Sequence, residues 1–151
     1  MSSRDFLPEK LQTALAEVRQ VYVDLAKKPI QRKCLRKTEC CHFKLTGRTP
    51  YLTKGEAVVA AKALRATGRK SLPENDDGSC PMLQQDTGNC LIYEDRPFGC
   101  RTHFCAAAGG PIARREVLGL IRRLEDVDLA LNGNGPCPLQ NAVADVLEEM
   151  R

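Results

Sequence analysis

The sequence predicts a small, mainly α-helical domain of about four helices with a cysteine-rich insert, a loop or short β-hairpin organised by metal. Three observations carry that expectation. Four segments repeat apolar residues at helical spacing, the stretch between the second and third is dense in Pro, Gly, Asp and Cys, and the eight cysteines fall almost entirely in connections. The chain has 151 residues, 42% hydrophobic and 28% charged, which is the size and composition of one domain able to bury its own core. A single cysteine-cluster unit over residues 1–151 is therefore expected.

The first helix is expected from about Pro8 to Lys27, where Leu11, Leu15, Val18, Tyr22 and Leu25 share one face and Pro29 stops the run. A second should start at Thr53, which with Glu56 forms a capping box. It continues through Val58, Val59, Ala61, Ala63 and Leu64 to Gly68. A third should cover roughly Ile112 to Leu131, with Val117, Leu118, Ile121 and Leu124 as its stripe, ended by Asn132-Gly133-Asn134-Gly135. The last runs from about Pro138 to Met150 and buries Leu139, Ala142, Val143, Val146 and Leu147. Between the second and third, Met82-Leu83 and Cys90-Leu91-Ile92-Tyr93 flank Asp86-Thr87-Gly88-Asn89, which reads as a short hairpin.

No apolar run approaches the ~20 residues of a membrane span, and MSSRDFLPEK lacks signal-peptide architecture. A cytoplasmic protein with no membrane partner is expected, and in that reducing compartment clustered cysteines bind metal more often than they crosslink. Cys34, Cys40 and Cys41 follow the first helix; Cys80, Cys90, Cys100 and Cys105 lie in the insert; Cys137 precedes the last helix. All eight are candidate metal ligands. The spacings match neither paired CxxC zinc knuckles nor ferredoxin runs, so the clustering alone points to metal. His42 and His103 lie beside these cysteines and are weaker candidates. The paired acids Asp76-Asp77, Glu94-Asp95 and Asp126 with Asp128 read as loop and helix-surface charges. No phosphate loop, HExxH pattern or nucleophilic triad is present, so no catalytic residue is assigned.

The net charge of +4 is unevenly spread: residues 1–72 carry +10 and residues 73–151 carry −6. Nine basic residues and one acid lie between Lys27 and Lys54. A second reading is therefore a polyanion- or RNA-binding zinc module that uses this basic segment. With only Phe43 and Tyr51 as aromatics there is no stacking platform, and a solvated basic loop is the favoured reading. A third is a thiol-redox protein with reactive cysteines in the metal-free form.

The segment CPMLQQDTGNCLIYEDRPFGCRTHFC, preceded by Cys40-Cys41, resembles the YkgJ-like cysteine-cluster family of bacterial zinc- or iron-chelating CxxCxxCC domains, often labelled iron–sulfur proteins. Cys34, Cys40 and Cys41 match three of the four opening cysteines, and Lys37 stands at the position of the second. Cys80-Pro81, Cys90, Ile92-Tyr93-Glu94, Arg96-Pro97 and Cys100-Arg101 match the rest of the pattern, and Cys137-Pro138 resembles its late Cys-Pro. The resemblance spans roughly Cys34 to Cys105 and implies an iron–sulfur cluster or a zinc or iron ion as cofactor. Cys105, His42 or His103 would replace the ligand missing at Lys37. Arg96 and Arg101 would act as charge partners of the thiolates or as donors to loop carbonyls. A related module occurs in flagellin lysine methylases, but this sequence shows no separate methyl-donor domain, and the activity is not carried over. An unidentified protein partner completes the expectation.

Overall fold

The Ala- and Val-rich segment KGEAVVAAKALRA becomes the buried centre of the fold. In a computed structural model, which describes residues 8–28, 49–84, 86–102 and 112–150, it forms helix α2 (Lys54–Ala66). Gly55 through Ala61 and Leu64 are all buried there, as expected for a helix apolar on nearly every side. Helix α1 (Pro8–Ala26) precedes it, α3 (Phe98–Thr102) and α4 (Leu118–Ala130) follow it, and α5 (Leu139–Glu149) closes the chain. α1 packs on α2 and α4, and α2 packs on α4 and α5.

α1, α2 and α5 bury most of the stripe that their spacing predicts, whereas in α4 the expected Leu118 and Ile121 are half-buried and Leu120, Leu124 and Val127 form the buried face. Leu15, Val18, Tyr22 and Leu25 face inward from α1, and Leu139, Ala142, Val143, Val146 and Leu147 do so from α5. The third helix is shorter than expected. Glu116 Oε2 accepts the Ala113 amide at 3.1 Å, closing a 3-10 turn over Arg114–Glu116, and Val117 (φ −127°, ψ 15°) then interrupts helical geometry before α4 begins. Arg123 ties α4 to α1, donating to Asp24 Oδ2 at 2.7 Å and to Glu17. The Arg123 hydrogen bond holds Asp24 below the usual carboxylate range.

A two-stranded antiparallel ribbon joins distant parts of the chain. β1 (Tyr51–Leu52) pairs with β2 (Cys137–Pro138), with Leu52 opposite Cys137. This ribbon sets the start of α5 beside the start of α2. Asp128, which the sequence placed on the helix surface, is instead buried at 4% exposure. Its carboxylate accepts the Lys54 amide at 2.7 Å and the Gly135 amide at 3.0 Å, so it caps α2 from another helix and holds the Asn-Gly-Asn-Gly turn. Asp126, Asp76, Asp77 and Glu94 are exposed, as expected.

At Gly55 the side chains of α1 and α4 close directly onto the α2 backbone. A Cβ there would lie 2.6 Å from Val127 Cγ1 and 2.7 Å from Val18 Cγ2, and these β-branched side chains have little rotamer freedom. Gly55→Ala is expected to lower stability by about 1–3 kcal/mol, although alanine is the better helix former. Urea unfolding checks this, and a stabilised variant would show that the contact relaxes freely.

Candidate metal centre

Local turn chemistry positions Cys80 and Cys90. Asn75 Nδ2 donates to the carbonyls of Cys80 at 2.7 Å and Leu83 at 3.1 Å, and Asp77 Oδ1 accepts the Ser79 amide at 2.9 Å. Leu83 forms an antiparallel bridge with Cys90, flanked by Gln84 N to Asn89 O at 2.8 Å and Leu91 N to Met82 O at 2.8 Å. This is the expected hairpin, reduced to a single bridge. Gly88 takes the positive φ of 73° that its turn requires. Met82 and Ile92 are buried and anchor the insert to the core.

Cys100 lies in α3 and Cys137 in β2, which corrects the expectation that both occupy irregular connections. The start of α3 is fixed by Glu56, only 3% exposed. Its Oε2 accepts the Phe98 amide at 2.7 Å, while Oε1 accepts the Thr53 hydroxyl at 2.9 Å and the Thr53 amide at 3.3 Å. The glutamate half of the expected capping box is thus also a long-range link, which the sequence did not reveal. Gly99 packs against Pro50, with 3.5 Å between its Cβ position and Pro50 Cβ, and Pro50 O accepts the Leu139 amide at 2.9 Å. The segment leading into β1 therefore has the Cys100 helix on one side and the start of α5, next to Cys137, on the other.

The arginines of the Ile-Tyr-Glu-x-Arg-Pro stretch shape the polypeptide. Arg96 Nε donates to Tyr93 O at 3.0 Å, and its guanidinium covers the Tyr93 ring at 4.1 Å. Arg101 donates to Arg96 O and Glu94 O, each at 2.7 Å, and lies 4.1 Å above the Tyr22 ring. Of the two expected roles, these bonds show the loop-carbonyl one. Burial lowers the Arg101 pKa, partly offset by Tyr22, Asp95 and Cys100. Burial also raises Tyr22 strongly, and the Glu56 and Cys100 charges add to the effect.

Burial likewise pushes the Glu56 carboxyl above the usual glutamate value, outweighing its hydrogen bonds from Phe98, Thr53 and Tyr22. A folded state that holds this proton more tightly than the unfolded chain loses stability as pH rises through the window between the two values. Wild type is therefore expected to lose stability relative to Glu56→Gln as pH climbs from about 4.3, the ordinary glutamate value, toward neutrality. Urea titrations across that range check this; a difference that stays flat or reverses would contradict it.

Cys80, Cys90, Cys100 and Cys137 are thiols, none in a disulfide, and Cys80 is buried at 6% exposure. Among the described residues no three His, Cys, Asp or Glu side chains converge on a metal position. Cys34, Cys40, Cys41, Cys105, His42 and His103 lie outside the described residues. The donor chemistry nonetheless fits a soft or borderline ion, for which thiolate is the preferred ligand. Among the described residues, the buried Ser79 Oγ and Gln140 Oε1 also lack a hydrogen-bond partner. Tyr22 is within electrostatic reach of Cys100, Ser79 adjoins Cys80, and Gln140 is three residues from Cys137. Within the basic stretch, Lys54 Nζ is held by Glu149 at 2.6 Å.

These features belong to a class of small helical proteins built around a cysteine-rich metal-chelating segment. A family model matches residues 32–117. The chain belongs to that CxxCxxCC family, described as a proposed zinc- or iron-chelating domain, and binds metal on that basis. Comparison with curated proteins and with solved structures finds no match. No helix among the described residues is long and apolar enough to cross a membrane.

Proposed function

We propose that the chain carries a thiolate-ligated metal centre, first an iron–sulfur cluster and second a zinc or iron ion, with ligands drawn from Cys34, Cys40, Cys41, Cys80, Cys90, Cys100, Cys105 and Cys137. One observation supports this most. Both connections that carry the remaining cysteines leave or return beside Cys100. Segment 29–48 is followed directly by the approach to β1, where Pro50 lies against Gly99. Segment 103–111 is closed by the Ile112 amide donating to Thr102 O at 2.9 Å. Cys105 is therefore three residues from one anchor of this short helix, and Cys41 and Cys40 are nine and ten residues from the other, with Cys34 further along the same segment.

A bound cluster would supply one-electron chemistry, whereas a closed zinc site would supply cross-linking alone. The chain's own residues provide the rest. Asn75 holds the Cys80 turn, the Leu83–Cys90 bridge holds Cys90, and Glu56 and Arg101 hold the two ends of the Cys100 helix. A fully thiolate-bound centre with no open position serves structure or electron transfer, and we place the protein there, in the cytoplasm. Metal and acid-labile sulfide analysis of anaerobically purified protein tests the reading. Brown protein with sulfide matching iron supports a cluster, and colourless protein with stoichiometric zinc moves the assignment to a structural ion. Protein without either metal overturns it.

A further inference from the structure

We propose that Glu56 is a positioning residue for this centre: its carboxylate joins the starts of α2 and α3 and so sets the metal affinity of Cys100 without acting as a ligand. The inference deepens the metal reading above and rests on it. α3 has five residues, too few to be stable as an isolated helix, and its first amide has no partner within the helix. Glu56 fills that vacancy from a different part of the chain at 2.7 Å. The opposite carboxylate oxygen is fixed by the Thr53 hydroxyl and amide, so the link is anchored at both poles.

Cys100 is two residues beyond the amide that Glu56 holds, and the residue after it, Arg101, is stacked on Tyr22 and bonded to Glu94 O and Arg96 O. The cysteine is thereby fixed between two anchors. Partners that orient ligands from outside the coordination shell typically change metal affinity by about 10–100-fold when removed. Glu56 was legible only as a helix cap, because its second bond spans 42 residues of sequence.

The test compares Glu56→Gln, Glu56→Ala and the core variant Val143→Ala, measuring zinc affinity by competition with a chromophoric chelator alongside thermal stability. With its carbonyl oxygen on the Phe98 amide, glutamine can only donate to the Thr53 hydroxyl, so the Thr53 amide loses its acceptor and the link between the two poles is weakened. We expect zinc binding to weaken at least about tenfold in Glu56→Gln and further in Glu56→Ala. Val143→Ala should stay within about twofold of wild type despite its lower melting temperature, because Val143 makes none of the hydrogen bonds that hold the Cys100 helix. A loss in Glu56→Gln no larger than in Val143→Ala overturns the proposal. Wild type that takes up neither zinc nor iron overturns the metal reading instead. Amide exchange in metal-free protein then judges the positioning by itself. Faster exchange in Glu56→Gln at Cys100 and Arg101, whose amides bond to Pro97 O, than at Leu64 supports it, and equal acceleration at all three overturns it.

Discussion

Replacing Cys100 with serine is expected to weaken metal binding by at least about 100-fold, well beyond the effect of a residue that only orients a ligand. A serine hydroxyl is a poor substitute for thiolate at soft and borderline ions. Cys90→Ser should behave similarly, because the antiparallel bridge to Leu83 fixes the backbone of Cys90. Metal removal should act on the same elements. A strong chelator is expected to lower the melting temperature while leaving most of the far-UV helical signal, since the packing of α1, α2, α4 and α5 is made chiefly by aliphatic side chains. Chelator competition and circular dichroism check both outcomes. Undiminished affinity in both serine variants, or complete loss of helix on chelation, would contradict this account.

Asp128→Ala is expected to cost about 3 kcal/mol, because it leaves the Lys54 and Gly135 amides without their carboxylate partner and removes a negative charge from the α2 N-terminus. For a chain of this size that is a fall of roughly 10 °C in melting temperature. Gly133→Ala should reproduce part of the loss, since a Cβ at Gly133 would fall on the Asp128 carboxylate. The double variant should then cost less than the sum of the two single ones, as expected for residues acting through one contact. Calorimetry of the three variants decides it, and a cost below about 1 kcal/mol for Asp128→Ala would mean that water replaces the carboxylate.

The four long helices were legible because their signals are local. Leu15, Val18, Tyr22 and Leu25 repeat at helical spacing, Thr53 and Glu56 stand three apart, and Asn132-Gly133-Asn134-Gly135 ends a helix by its own backbone preferences. The parts that escaped sequence reading depend on contacts distant along the chain. α3 is too short for periodicity to register and is held by Glu56 and Tyr22 from other helices. β1 and β2 are two residues each and exist only as a pair. Asp128 looked like a surface acid next to Asp126, yet the turn after α4 folds its own amides back onto it. For the proposed metal centre the sequence supplies eight candidate sulfur donors. Which of them meet depends on chain closure, and the described residues fix the anchors around Cys100 rather than the full set.

The central claim is that sulfur surrounds a metal in this protein, and X-ray absorption at the metal edge tests it most directly. The account predicts a first shell of sulfur at about 2.3 Å, joined by an iron–iron distance if a cluster is present. A first shell made of oxygen and nitrogen would contradict it.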